Sequence, residues 1–155
     1  MSFQLILRDL TDAWTVMGFA RARPADEPQI NEFETKYHVR LPPDFRAYVA
    51  SLNGGESGRD GPMDSSQIAF WRLDQIEPLV KESSDGPPVL FVFADFLIDS
   101  HAYAIQLSDD PNTPTPVFID WGERTEKVAD SFSSFIHSYL SNDRHVLFGA
   151  DESAA

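Results

Sequence analysis

The chain has 155 residues, 42% of them apolar, with 12 bases against 25 acids and a formal net charge of −13. This length supports one domain with a core of its own, and the absence of cysteine excludes a disulfide framework and thiolate metal sites. The charge repels nucleic acid and anionic membrane and steers basic partners toward the protein, although solubility alone also accounts for an acidic surface.

The surplus of acids is uneven: residues 1–84 carry a net −4 and residues 85–155 a net −9. Phe3, Ile6, Leu7, Leu10, Trp14 and Met17 recur at helical spacing and predict an amphipathic first helix ending near Gly18. Arg21 to Pro24 reads as a linker, and Asp26 as the cap of a second helix whose stripe is Ile30, Phe33 and Tyr37. Pro42 and Pro43 suit the first turn of a third helix, where missing N–H groups cost nothing. Phe45, Tyr48, Val49 and Leu52 share its inner face, and Asn53-Gly54 can take the left-handed conformation that stops it.

Asn53 to Ser66 reads as a mobile surface loop, and Ile68 to Leu73 as a strand. Asp74 is expected to cap a short helix through Val80. Val89–Phe93, Ala102–Leu107 and Val117–Trp121 are the next strand candidates, the first apolar enough to be buried on both faces. Ser108 to Pro116 is a loop. Asp130 or Ser131 caps a closing helix with the stripe Phe132, Phe135, Ile136, Tyr139 and Leu140. Helices first, then strands, then a helix predict an α+β class: one domain over residues 1–148 with a small, mostly antiparallel or mixed sheet and helices packed on one side. Residues 149–155 read as a flexible tail. The opening residues carry no signal-peptide pattern, and no apolar run approaches the ~20 residues that span a bilayer, so a cytoplasmic protein is expected.

The search for chemistry yields no catalytic, cofactor or metal assignment. No Gly-x-Ser-x-Gly elbow, P-loop or dinucleotide fingerprint occurs. Gly54 to Gly58 lacks the preceding strand and following Lys of a phosphate loop. Asp99-Ser100-His101 reads as a hairpin turn, because a triad needs residues converging from separate elements. His38, His101, His137 and His145 show no ligand spacing and read as surface or capping residues. Asp95 and Asp99 with Asp109 and Asp110 lack the fixed spacing of a calcium loop and read as solvated acids. The aromatics are not interleaved with bases, which argues against a nucleic-acid stacking platform. Core packing is the default for Trp71 and Trp121, and either one half-exposed at a sheet edge would anchor a partner.

A Phe33-Glu34-x-x-Tyr37 helix leads into Leu41-Pro42-Pro43-Asp44-Phe45 and ends in Asn53-Gly54-Gly55. Then come Phe70-Trp71, Phe93-Ala94-Asp95-Phe96, Tyr103-Ala104-Ile105, Pro116-Val117 and the closing Ser131-to-Ile136 helix. Over residues 25–141 this pattern resembles the SUKH superfamily, the Smi–Knr-type domain of fungal cell-wall assembly regulators and bacterial immunity proteins. The Leu-Pro-to-Asn-Gly-Gly unit is its most specific part. The resemblance implies an α+β fold and a protein-binding role without catalysis, bacterial members commonly neutralising toxins, often nucleases. One departure is the turn Phe96 to His101, where Leu97 and Ile98 replace the glycine-rich, polar turn common in the family.

The expected partner is therefore a protein, in the first instance a basic toxin domain, with no nucleic acid or membrane involved. The acids chosen as contacts are Asp60, Asp64, Asp95, Asp99, Asp109, Asp110, Glu123 and Glu126, with Trp121 or Phe96 as aromatic anchor. A regulatory domain docking on a cellular protein is the alternative. An enzyme or small-ligand binder built on the loops at Asn53–Ser66 and Asp95–His101 is the third reading.

Overall fold

The computed structural model describes residues 2–56, 58–60, 63–79, 89–97 and 100–149. Its helices are α1 (Phe3–Met17), α2 (Glu27–Tyr37), α3 (Pro43–Ser51), α4 (Phe132–Leu140) and α5 (Arg144–Phe148). Its strands are β1 (Ile68–Phe70), β2 (Glu77–Pro78), β3 (Val89–Phe96), β4 (His101–Leu107), β5 (Val117–Asp120) and β6 (Thr125–Ala129). They form one antiparallel sheet in the order β1-β3-β4-β5-β6, with β2 also paired to β3. This is the α+β, helices-on-one-side architecture expected from the segregated elements.

The helices reach the sheet through aromatic side chains. Trp14 of α1 lies 5.1 Å from the Phe70 ring, Phe33 of α2 5.7 Å from Phe91, and Phe45 of α3 6.0 Å from Phe93. Phe132 and Phe135 of α4 meet Phe93 edge-on at 5.4 and 5.5 Å, the arrangement that aromatic quadrupoles favour. All of these rings are fully enclosed except Phe33, which is nearly so. Burying a side chain of this size stabilises by roughly 1.5–3 kcal/mol before entropy is counted, so the core is a single aromatic layer between helices and sheet.

Local signals explain the helix ends. Gly18 closes α1 at φ +73°. Asp26 and Gln29 form a reciprocal capping box at the start of α2, with Pro28 in the first turn. Pro42 and Pro43 open α3 as expected. At α4, Ser131 is the cap and accepts from the Ser134 amide, while Asp130 pairs with Lys127 at 2.7 Å instead.

The Asn-Gly-Gly stop is a joint between three segments. Asn53 is left-handed at φ +55°; its Nδ2 donates to the Arg23 carbonyl at 3.0 Å and its Oδ1 accepts from the Leu73 amide at 2.7 Å. Ala22 donates to the Gly54 carbonyl, Gly55 to the Phe70 carbonyl and Glu56 to the Ala20 carbonyl. A Cβ on Gly54 would stand 2.5 Å from the Trp71 carbonyl oxygen, and one on Gly55 would stand 2.7 Å from the Phe19 ring. At Gly54 the neighbour is backbone, and approach this close admits no side chain. Residues 53–55 thus knit the α1–α2 linker to the end of β1.

Several expectations need correction. Asn53–Ser66 is not simply a loose surface loop: Asn53 to Gly55 are buried, Gly58–Asp60 form a 3₁₀ turn, and Asp64 is buried. The helix expected from Asp74 to Val80 is a 3₁₀ turn, Leu73–Gln75, followed by β2; pairing with β3 overrides the cap, and Pro78 is tolerated in so short an edge segment. Val80 lies outside the described residues. β6 and α5 were not expected. Gly149, assigned to the tail, caps α5 and is buried; residues 150–155 lie outside the described range.

Candidate protein-docking surface

The residues chosen from the sequence divide into three groups. Asp64 and Asp95 belong to the interior, at 6% and 3% exposure, so the expectation that they are surface contacts is wrong. Asp64 Oδ1 accepts from the amides of Ser66 (2.8 Å) and Ile68 (3.0 Å), and its Oδ2 accepts from the Tyr139 hydroxyl. That hydroxyl in turn accepts from Trp14 Nε1 at 3.0 Å. Burial pushes the Tyr139 pKa up, and the neighbouring Asp64 charge adds to it. Asp95 Oδ2 accepts from the Trp71 indole N–H at 2.6 Å, and Arg59 lies 4.3 Å above the Trp71 ring. A carboxylate leaves water only when such donors replace it.

Phe96, Trp121, Glu123 and Glu126 form a second group at one end of the sheet, where β3 turns into β4 and β5 into β6. Phe96 and Trp121 are half-buried and flank His101, whose ring is stacked on Phe96 (4.9 Å, 15°) and tilted against Trp121 (4.6 Å). His101 is buried, contrary to the surface reading. Its Nε2 lies 3.0 Å from the Tyr103 hydroxyl, which donates to the Leu147 carbonyl of α5 at 2.7 Å. Burial lowers the His101 pKa, and the hydrogen bond to Leu147 works against that shift. Arg124 stands over the Trp121 ring at 5.1 Å and reaches Glu126 at 3.4 Å. Glu123 is exposed. Leu97, in the turn after β3, is exposed and left-handed (φ +47°), held by its amide bond to the Gln67 carbonyl.

Asp109 and Asp110 form the third group, exposed on the β4–β5 loop. That loop is at the other end of β4, roughly 20 Å away at strand rise, so the expected acids do not converge into one patch. This separation also parts Asp95 from Asp109 and Asp110 as joint ligands, and no group of three or more His, Asp or Glu able to hold a metal occurs among the described residues. Asp60 lies in the 3₁₀ turn Gly58–Asp60, but its side chain is outside the description, and Asp99 is outside the described residues altogether.

The β4–β5 loop faces the α2–α3 connection across an open groove of about 700 Å³, edged by Pro42, Pro43, Pro111 and Pro114. A second cleft, missed in the sequence, lies beside α2. The available signal was the spacing of Gln29, Glu32 and Lys36 on the helix face next to the Phe33–Tyr37 stripe. No helix among the described residues is long and apolar enough to cross a membrane.

Architecture and surface together define a small α+β domain: helices on one face of an antiparallel sheet, an aromatic core, and exposed acids at both sheet ends. The chain belongs to the SMI1 / KNR4 family (SUKH-1), whose family model matches residues 24–138. No curated protein matches the chain. Membership supports a non-catalytic domain of immunity or regulatory type in general, with proteins as partners. The match begins after α1, yet Trp14 of that helix is fully buried and bonded to Tyr139 of α4.

Proposed function

We propose that this domain is an immunity-type inhibitor that binds a basic toxin domain, a nuclease being the leading case, and occludes it with an acidic exterior. The observation that carries this reading is how the charges are matched. Arg8, Arg46, Arg59, Arg72, Arg124 and Lys127 each stand within 4.0 Å of a carboxylate of the same chain. These six of the 12 bases are matched within the chain, and the net of −13 leaves an acid surplus to act on the outside. Asp109, Asp110 and Glu123 are exposed and have no ion pair among the described residues. Nuclease sites are basic because they hold phosphates, so such a surface both steers and seats on them, raising association rates by roughly 10–10³-fold at low salt.

The test uses the proteins encoded beside this gene. Each is purified and titrated against the domain by calorimetry at low and high salt, and co-expressed to score relief of toxicity. Binding at micromolar concentration or tighter, weakened by salt and coupled to relief, supports the reading. Absence of any such partner refutes it, and salt-sensitive binding to a housekeeping protein instead transfers the case to the regulatory alternative.

A further inference from the structure

We infer that the cleft between α2 and the 3₁₀ turn Leu73–Gln75 is an anchor pocket for one arginine side chain of a partner protein. The inference rests on the reading that the partner is a basic protein and adds where and how it is gripped. The cleft holds about 210 Å³, below the ~300–1,000 Å³ of small-molecule sites, a size that suits a single long side chain. Its buried lining is mainly apolar, Asn53 being the polar exception. Phe33 and Ile76 are buried, and the half-buried Tyr37 ring stands edge-on to Phe33 at 4.9 Å and to Phe91 at 5.2 Å. Two exposed carboxylates stand at the mouth on opposite walls, Glu32 from α2 and Asp74 from the 3₁₀ turn.

An arginine divides in the same way, with an apolar stem and a charged planar head that remains at the rim. The stem covers Phe33 and Ile76, while the guanidinium lies against Tyr37 and between the two carboxylates. The protein already shows half of this arrangement: Lys36 Nζ lies 5.1 Å above the Tyr37 ring, so the ring face accepts a cation there. Lys36 is a resident competitor that an incoming guanidinium displaces, and being exposed it moves at little cost. Asp74 is paired with Arg72 at 3.0 Å, a contact between exposed or half-exposed groups that water screens. The walls are firm. α2 is pinned by its capping box and by Arg46 bridging Glu27 and Glu34, and the 3₁₀ turn by the Asn53 bond to the Leu73 amide. A preformed pocket spares the binder part of the ordering cost.

The probe is N-acetyl-L-arginine N-methylamide, titrated to tens of millimolar into the full ¹⁵N-labelled chain at fixed ionic strength, with the uncharged citrulline analogue as reference. Amide shifts confined to residues 29–37 and 73–76, at least 5-fold weaker for citrulline, are expected. The E32Q/D74N double variant, whose changes lie on exposed side chains, should weaken the arginine response at least 3-fold with the thermal midpoint retained, and Lys36→Met should strengthen it about 2-fold. Equal response to both probes, or shifts elsewhere only, overturns the pocket. Because the titration needs no partner, its failure leaves the salt-dependent toxin binding to stand or fall separately, and failure of that binding leaves this result intact.

Discussion

Gly54 provides the sharpest test of the fold, because the chain carries its own control. Gly18 and Gly54 share φ +73°, but a Cβ on Gly18 meets nothing within 4 Å, whereas one on Gly54 falls 2.5 Å from the Trp71 carbonyl oxygen, 2.8 Å from its carbon and 2.9 Å from the Phe70 oxygen. Gly18→Ala therefore measures left-handed strain alone, about 1 kcal/mol. Gly54→Ala carries the same strain and must also open about 0.9 Å between two backbones to reach ordinary contact. A shift of that size breaks the Gly55-to-Phe70 bond (3.0 Å) and the Ala22-to-Gly54 bond (2.9 Å). Each such bond contributes about 1 kcal/mol net, and the displaced packing costs about 1–2 kcal/mol more. The expected losses are about 4–5 kcal/mol for Gly54→Ala and about 1 for Gly18→Ala. At about 2–4 °C per kcal/mol for a chain of this length, calorimetry should show midpoints lower by about 8–20 °C and about 2–4 °C respectively. Equal shifts for the two variants would refute the argument that residues 53–55 form a closed joint.

Three further outcomes follow from the same geometry. Tyr139→Phe strips Asp64 Oδ2 and Trp14 Nε1 of a partner at once, and urea unfolding should show a loss of about 2–4 kcal/mol; a change within 0.5 kcal/mol would mean that water satisfies both groups. Asn53→Ala removes the bonds to Arg23 and Leu73 and should cost about 2–3 kcal/mol in the same assay, with Asn53→Asp recovering only the Leu73 half. Burial holds the folded-state pKa of His101 below the 6.5 of the unfolded chain, so the neutral ring contributes stability that is present above pH 6.5 and lost as pH falls through the folded value. The urea midpoint advantage of the wild type over His101→Gln should therefore shrink between pH 8 and pH 5, and an advantage that grows on acidification would contradict the burial argument.

What the sequence revealed depended on the strength of its periodicities. α1, α2 and α4 carry long apolar stripes, α3 is opened by two prolines, and β3 reads as a buried strand because Val89 to Phe93 contains no polar residue. β6 did not register because Thr125-Glu126-Lys127 resembles a turn; as the last strand of the sheet it needs charge, not apolar surface, along its free edge. α5 has five residues, too few for a periodic signal, and its position is set by the Tyr103 bond to Leu147. The candidate contacts failed where burial was decided at long range. Asp64 is partnered by Tyr139, 75 positions away, and Asp95 by Trp71, 24 positions away, and neither pairing leaves a local trace.

The burial of those acids bears on the acidic exterior itself. Formal charge counts Asp44, Asp64 and Asp95 equally with Asp109, yet Asp64 and Asp95 are buried and the half-buried Asp44 is committed to donors of its own chain. Asp44 accepts from its neighbour Phe45 and from the amide and hydroxyl of Ser133 at the start of α4. Asp64 fastens β1 to α4, and Asp95 holds the Trp71 ring. Enclosed charges surrounded by donors project less field than solvated ones that face a partner across an interface. The steering field therefore comes from the exposed acids, among them Asp109 and Asp110 at one end of the sheet, Glu123 at the other, and Glu32 and Asp74 at the α2 cleft. These lie on separate faces, so a basic partner met by diffusion is drawn toward the whole molecule, and the choice of face falls to shape. At the α2 cleft the two carboxylates stand beside the buried side chains of Phe33 and Ile76, which gives an arriving cation an apolar surface for its stem as well as a charge for its head.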